Sequence, residues 1–86
     1  MTLYGLFNIG KVIELRLNEI GIETFEQLVE LGTEEVFLRL YAKNKNTSKT
    51  VLFSIEGAIE GVKWREIDSK RREELQKFFD TVTKKK

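Results

Sequence analysis

The fold is decided by residues 9–32, which read IGKVIELRLNEIGIETFEQLVELG. Apolar residues in its first half recur at intervals of three and four, as on one side of a helix; they are Ile9, Val12, Ile13, Leu17 and Ile20. Gly21 follows the last of them, and a glycine there commonly ends a helix. Thr24 and Gln27 then have the spacing of a capping box. The stretch therefore predicts one helix that ends at Gly21 and a short second helix over 25–31.

Three more helices are predicted downstream by the same spacing. Thr33 is the expected N-cap of the third, a polar loop covers 43–48, and Asp68 or Ser69 is the expected N-cap of the fifth. The expected buried positions are Val36, Phe37, Leu40 and Tyr41 in the third helix, Val51, Leu52, Ile55, Ala58, Ile59 and Val62 in the fourth, and Leu75, Phe78, Phe79 and Val82 in the fifth. No stretch has the alternation of a strand. We expect an all-α chain, a compact bundle of about five short helices.

The composition excludes most catalysis. The 86 residues contain no His, Cys or Pro. Without His the usual neutral-pH base is missing, and without Cys there is neither a thiolate nucleophile nor a thiolate zinc ligand. The carboxylates show no metal-ligand spacing. We therefore expect no enzyme, no catalytic residue, no metal, no cofactor and no small-molecule substrate.

Charge and hydropathy place the chain among small globular domains. The net charge is +1, with 41% hydrophobic and 34% charged residues. No apolar run approaches the roughly 20 residues that span a bilayer, and the start lacks the pattern of a signal peptide. We expect one domain over 1–86, with a frayed tail at 84–86, no contact with a membrane and a cytoplasmic location.

The two halves of the chain differ in charge. Residues 1–46 carry five basic and seven acidic side chains, whereas residues 47–86 carry ten basic and seven acidic ones. An anionic partner would meet the second half more readily. Ordinary variation of helix surfaces is the other interpretation.

One motif has the form of a phosphate-binding turn. Asn8, Ile9, Gly10 and Lys11 open a helix, and an apolar-Gly-apolar step at Gly21 precedes the next one, as in a helix-hairpin-helix. A glycine lets the backbone approach a phosphate, and the first amides of the following helix can donate to its oxygens. Such contacts are independent of sequence. The candidate nucleic-acid-binding residues are Asn8, Gly10, Lys11 and Gly21. In the structural alternative, Asn8 caps the helix and Gly10 permits close packing.

A second motif lies in the fourth helix and the turn after it. Ser54, Gly57, Ala58 and Gly61 form a stripe of small residues at helical spacing, which favours close helix packing, with a partner-docking groove as the alternative. Gly inside a helix costs roughly 1 kcal/mol relative to Ala, so a packing requirement is expected there. The densest basic segment follows, at 63–72. Its candidate partner-binding residues are Lys63, Trp64 and Arg65, with a mixed-charge solvated face and a core position for Trp64 as the alternatives.

Together the two motifs resemble a known family. Leu6, Asn8-Ile9-Gly10-Lys11, Leu17, Ile20-Gly21-Ile22, Thr24-Phe25, Leu28 and Leu31-Gly32 are similar to the opening of the C-terminal domain of the TfoX/Sxy competence regulators, and residues 56–64 resemble that domain's second signature. The resemblance covers roughly 5–80. It implies an all-helical domain with a helix-hairpin-helix-like N-terminal part and a role in DNA transformation or in transcription of competence genes.

The resemblance leaves two modes of action open. In the first, the chain is a non-enzymatic accessory domain that makes weak contact with the DNA backbone through the turn at Asn8 to Lys11. In the second, it is a protein–protein interaction module with no nucleic-acid contact. The expected partner is accordingly a transcription or DNA-handling protein, DNA itself, or both.

Overall fold

The computed structural model describes residue 3 and residues 8–84, and these residues form five α-helices. They are α1 (Lys11–Glu19), α2 (Phe25–Leu31), α3 (Thr33–Lys43), α4 (Lys49–Glu60) and α5 (Ser69–Thr83), with a 3₁₀ turn (Trp64–Glu66) before α5. No strand occurs in this part of the chain. The all-α prediction is confirmed.

Helix α4 is the centre of the bundle. Every residue from Leu52 to Ala58 is buried, and the helix packs against α2, α3, α5 and the 3₁₀ turn. One core cluster contains Leu3, Leu17, Ile22, Leu28, Val36, Leu40, Ile55 and Ala58. The other contains Phe37, Leu52, Phe53, Ile67 and Leu75, with Trp64 and Phe79 among the half-buried residues around it. Because α4 contributes to both clusters, it fixes the other helices relative to one another.

Helix α1 buries a narrower stripe than the sequence predicts. Ile13, Leu17 and Ile20 face the core, but Val12 is 70% exposed, so its assignment to the stripe is wrong. The helix begins only at Lys11. At 3.6 residues per turn, Val12 lies about 100° around the axis from Ile13, which turns it toward solvent.

The helix ends confirm two predictions and correct two. Thr24 and Gln27 form the predicted capping box of α2, and Asp68 is the N-cap of α5. Thr33 does not cap α3, because Gly32 is the N-cap and the buried Thr33 hydroxyl donates to Glu56 Oε1 at 2.6 Å instead. Gly61 lies at the C-cap of α4 with φ +76°, rather than inside the helix.

The two chain ends are described only in part. Lys84 follows α5 as its C-cap residue, whereas Lys85 and Lys86 of the predicted frayed tail lie outside the described residues. Leu6, the first residue of the family resemblance, also lies outside them. Leu3 is buried in the first core cluster.

Candidate interaction surface

The side chain of Asn8 joins the two sequence motifs. Its Nδ2 donates to the Val62 carbonyl oxygen at 3.0 Å, and the Trp64 backbone N–H donates to its Oδ1 at 3.3 Å. Asn8 has φ +68°, a left-handed conformation that Asn tolerates better than most residues. Both ends of the side-chain amide are thus committed to residues 62–64. This contact, which we call the Asn8 joint, replaces the predicted cap, because α1 has no side-chain cap and Gly10 is its N-cap residue.

Gly57 provides the space for the Asn8 joint. A Cβ atom at Gly57 would lie 2.3 Å from Asn8 Nδ2 and 2.8 Å from the Val62 carbonyl oxygen. Both distances are far shorter than van der Waals contact, and the second involves backbone. Gly57 thus meets a packing requirement, as expected of a glycine inside a helix, but its close neighbours are Asn8 and the turn at 62–64 rather than another helix.

Gly10 and Lys11 stand at an open end of α1. Both residues are exposed, and a Cβ atom at Gly10 would have no described residue within 4 Å. Among the described residues, therefore, no close packing requires the glycine. The first amides of a helix have no intrahelical acceptor, and no described side chain caps those of α1. This end of α1 thus presents backbone donors and the Lys11 ammonium group to solvent.

Gly21 lies at the other end of α1. Its N–H donates to the Asn18 carbonyl at 3.0 Å while the Ile22 N–H donates to the Leu17 carbonyl at 2.9 Å, which is a Schellman motif. Gly21 has φ +87°, so the turn needs a glycine. Nine helical residues separate it from Gly10, about 13.5 Å at 1.5 Å per residue. The structure does not bring Gly21 together with the other three candidate residues, and the helix-hairpin-helix is not confirmed.

Trp64 is half-buried, and two arginine side chains make cation–π contacts with its ring. The indole packs against the second core cluster, with the guanidinium carbons of Arg65 and Arg72 at 5.3 and 5.9 Å from the ring centroid. Lys63 is exposed beside it. Lys63, Trp64 and Arg65 thus lie together, on the same turn that the Asn8 joint holds. No sequence motif points to Arg72 individually, although it belongs to the basic segment at 63–72.

A partly buried ion-pair network centres on Arg71. Arg71 of α5 donates to both carboxylate oxygens of Glu34 at 3.0 Å and to Glu56 Oε1 at 3.0 Å. Glu56 is only 6% exposed and also accepts the Thr33 hydroxyl. The network therefore connects α3, α4 and α5. Sequence reasoning missed it, although an acidic residue inside the apolar stretch 51–59 is a signal for a buried partner.

The network shifts the pKa values of its carboxyl groups. The hydrogen bond from Arg71 lowers the pKa of Glu34. Burial works to raise the pKa of Glu56, but hydrogen bonds from Glu60, Arg71 and Thr33 together lower it. The hydrogen bond between Glu60 and Glu56 raises the pKa of Glu60 to about 7, and burial and repulsion from Glu56 act in the same direction. The Glu56–Glu60 pair therefore holds a proton, on Glu60, at mildly acidic pH.

This proton predicts a loss of stability as the pH rises. Between about pH 4.5 and 7 the folded chain keeps a proton on Glu60 that the unfolded chain has released, so the free energy of unfolding falls through this range. The loss should stay below about 1 kcal/mol, because Glu60 is exposed and solvent screens the pair. Urea titrations at pH 5, 6, 7 and 8 measure it. Glu60→Gln should abolish the fall, whereas Glu73→Gln, at an exposed site on α5, should retain it; an unchanged fall in Glu60→Gln would contradict the assignment.

Two classes of site are absent from the described residues. None of their helices is long and apolar enough to cross a bilayer. Nor do His, Cys, Asp and Glu residues gather there in a group that could hold a metal ion.

The fold and the surface define a class of protein, a small all-helical domain. In it, a basic turn is hydrogen-bonded to Asn8, which lies shortly before α1. Residues 1–79 match the model of the TfoX C-terminal domain, and the chain belongs to that family. It is also 35% identical over 83 residues to the protein Sxy of Escherichia coli strain K12. The alignment covers 96% of this chain but 40% of Sxy, so the chain spans less than half the length of that relative. These matches define a competence-regulator-like domain and not a known enzyme family.

Two crystal structures of proteins from Listeria monocytogenes have the same fold. A triclinic form of an uncharacterized protein has a TM-score of 0.95 and 34% identity, and covers 98% of this chain and 96% of that one. A tetragonal form of a protein of unknown function has a TM-score of 0.89 and 36% identity, covering 91% and 96%. The fold therefore occurs in a chain of nearly the same length as this one.

Proposed function

We propose that this chain is a non-enzymatic accessory domain in the regulation of DNA transformation competence. It acts in the cytoplasm, in transcription regulation or DNA handling, and makes weak, sequence-independent contact with the nucleic-acid backbone. Membership of the TfoX C-terminal family and the similarity to Sxy support the regulatory role. The composition, which lacks His and Cys, supports a binding role rather than a catalytic one.

The observation that carries the proposal is the Asn8 joint. Lys11 lies three residues after Asn8, within about 11 Å of it along the backbone. The same Asn8 is hydrogen-bonded to the turn that bears Lys63 and Arg65. The open end of α1 therefore lies near the basic turn, and we infer that backbone amides and cationic side chains from both meet one phosphate chain.

The contact must be weak. The net charge is only +1, and Glu14 lies in the first turn of α1. Affinity for a nucleic-acid backbone comes mainly from releasing counterions, so few cations give a low affinity and a modest dependence on salt. Contacts to phosphates alone read no bases.

A protein–protein interaction module with no nucleic-acid contact is the second candidate. One observation favours it: Val12 is 70% exposed and Leu15 is 52% exposed, both on the outer side of α1. Large apolar side chains exposed together are typical of interfaces.

Salt-dependent binding to random-sequence DNA tests the proposal. Fluorescence anisotropy with a labelled duplex and with a labelled single strand, from about 20 to 200 mM salt, should show binding that fades as salt rises. Lys11→Ala should weaken it and make the slope of log K against log salt shallower by about 1, as expected for one lost phosphate contact. Lys77→Ala on α5 is the control for charge. No binding of the folded wild type near 20 mM salt rejects the nucleic-acid contact and leaves the second candidate.

A further inference from the structure

We propose that Arg65 and Arg72, stacked on Trp64, are the principal phosphate ligands of this domain, two guanidinium groups that grip successive parts of a nucleic-acid backbone. The inference rests on the proposed function and deepens it. Trp64 then holds the two arginine side chains in place and does not itself contact the ligand. Arg72 joins the candidate residues that the sequence motifs indicate.

The first observation is that these two guanidinium groups are uncommitted. Every other arginine donates a hydrogen bond within the fold: Arg16 to Thr47, Arg39 to Glu35, and Arg71 to Glu34, Glu56 and Glu74. Arg65 and Arg72 have no such bond and no ion pair among the described residues, where their one specific contact is the Trp64 ring. Their planar arrays of N–H donors are therefore available to an external acceptor.

The second observation is the geometry of that contact. Arginine is drawn to an aromatic face by a cation–π interaction, which leaves the hydrogen-bonding donors without acceptors. Trp64 is itself fixed against the second core cluster. The ring therefore restricts two otherwise flexible side chains before a ligand arrives, which lowers the entropic cost of binding. A guanidinium group held in this way can donate two parallel hydrogen bonds to one phosphate.

The third observation is the position of Arg72 in the first turns of α5. Cations there oppose the helix dipole, and the first turn of α5 contains no acidic residue. Arg71 is offset by three carboxylates, but Arg72 forms no ion pair with a described residue. Two acids of the segment accept backbone hydrogen bonds: Glu66 from the Lys63 N–H at 3.1 Å, and Asp68, the N-cap of α5, from the Lys70 N–H at 3.0 Å. Neither is paired with Arg72, so a bound phosphate would be its first anionic partner among the groups described.

A phosphate backbone fits this surface better than a stacked base or an acidic peptide does. The guanidinium groups of Arg65 and Arg72 lie over the Trp64 ring, so the ring is not free to stack on bases. Lys63 and Lys70, which precede and follow Trp64 in the sequence, are also exposed cations. Several cations in one short segment match a ligand that carries one charge in every repeat, and they do so without reading sequence.

The test compares two double variants of equal charge. Arg65→Gln/Arg72→Gln removes both proposed ligands, whereas Arg39→Gln/Lys77→Gln removes two cations elsewhere. With a labelled duplex near 20 mM salt, the first should bind at least threefold more weakly than the second, and its slope of log K against log salt should be shallower by about 1.8 than that of the wild type. Arg65→Lys/Arg72→Lys keeps the charge but loses the planar fork, so it should keep the wild-type slope and recover the affinity only in part.

The single tryptophan provides a second readout. Trp64 is the one Trp of the chain, so DNA that engages Arg65 and Arg72 should change its emission, and the Gln variant should lose this response. Circular dichroism verifies that each variant is folded. If the wild type binds DNA but the Gln variant matches the control, the inference fails while the proposed function stands; if the wild type does not bind, both fail. Arginine-dependent binding of a poly-glutamate peptide without binding of DNA would also overturn the inference.

Discussion

Gly57→Ala is expected to lower the free energy of unfolding by about 2–3 kcal/mol. The new Cβ would overlap Asn8 Nδ2 and the Val62 carbonyl oxygen. Overpacking of this kind costs about 1–3 kcal/mol, and disturbing the two hydrogen bonds of Asn8 adds about 0.5–1.5 kcal/mol each. Ala gains only about 1 kcal/mol over Gly in a helix, so the steric term wins. Urea denaturation with circular dichroism measures the change.

Two further variants separate the clash from general effects of glycine. Gly10→Ala meets no described residue within 4 Å at φ −88° and should cost less than about 1 kcal/mol. In an Asn8→Gly background the 2.3 Å overlap disappears, so Gly57→Ala should cost less there than in the wild type. A Gly57→Ala protein as stable as the wild type, or more stable, would show that only helix propensity acts at this position.

Arg71→Met is expected to lower the free energy of unfolding by about 2–4 kcal/mol at pH 7. The change leaves the buried Glu56 carboxylate without its cation, and Thr33 then remains as its donor outside α4. Breaking a buried ion pair from one side costs about 3–5 kcal/mol, and the partial exposure of Arg71 reduces that figure. Urea denaturation at pH 7 measures the loss.

The same network supplies its own controls. Arg39→Met breaks an exposed pair with Glu35 and should cost less than about 0.5 kcal/mol. Adding Glu56→Gln to Arg71→Met removes the stranded charge and should recover part of the stability. Equal losses for Arg71→Met and Arg39→Met would mean that the network contributes no more than a surface pair does.

Local patterns in the sequence predict the helices, because their causes lie within a few residues. The Thr24–Gln27 capping box is one example, and the glycine that ends α1 is another. The spacing of apolar residues in α1 predicts a buried stripe that includes Val12, which is exposed. Spacing alone does not show that the helix begins at Lys11 or that Val12 faces solvent.

The site depends on contacts between residues far apart in the sequence. Asn8 bonds to residues 54 and 56 positions away, and the Thr33 hydroxyl bonds to Glu56, 23 positions away. Asn8 and Thr33 have the side chains of typical N-caps, so local reasoning places them there, but tertiary partners take their hydrogen bonds. Gly57 is the local sign of the Asn8 contact. A glycine inside a helix is unfavourable relative to alanine, so its presence there indicates that another group lies too close for a Cβ atom.

An NMR titration tests most directly whether the Asn8 joint and the Trp64 arginines form one nucleic-acid-binding surface. ¹H–¹⁵N spectra of the wild type are recorded as a short random-sequence duplex is added near 20 mM salt. We predict that the Trp64 indole N–H, the Arg65 and Arg72 Nε–H signals and the Lys11 amide shift together, whereas the Gly21 amide at the far end of α1 does not. Shifts centred on Gly21, or none at all, would contradict this account.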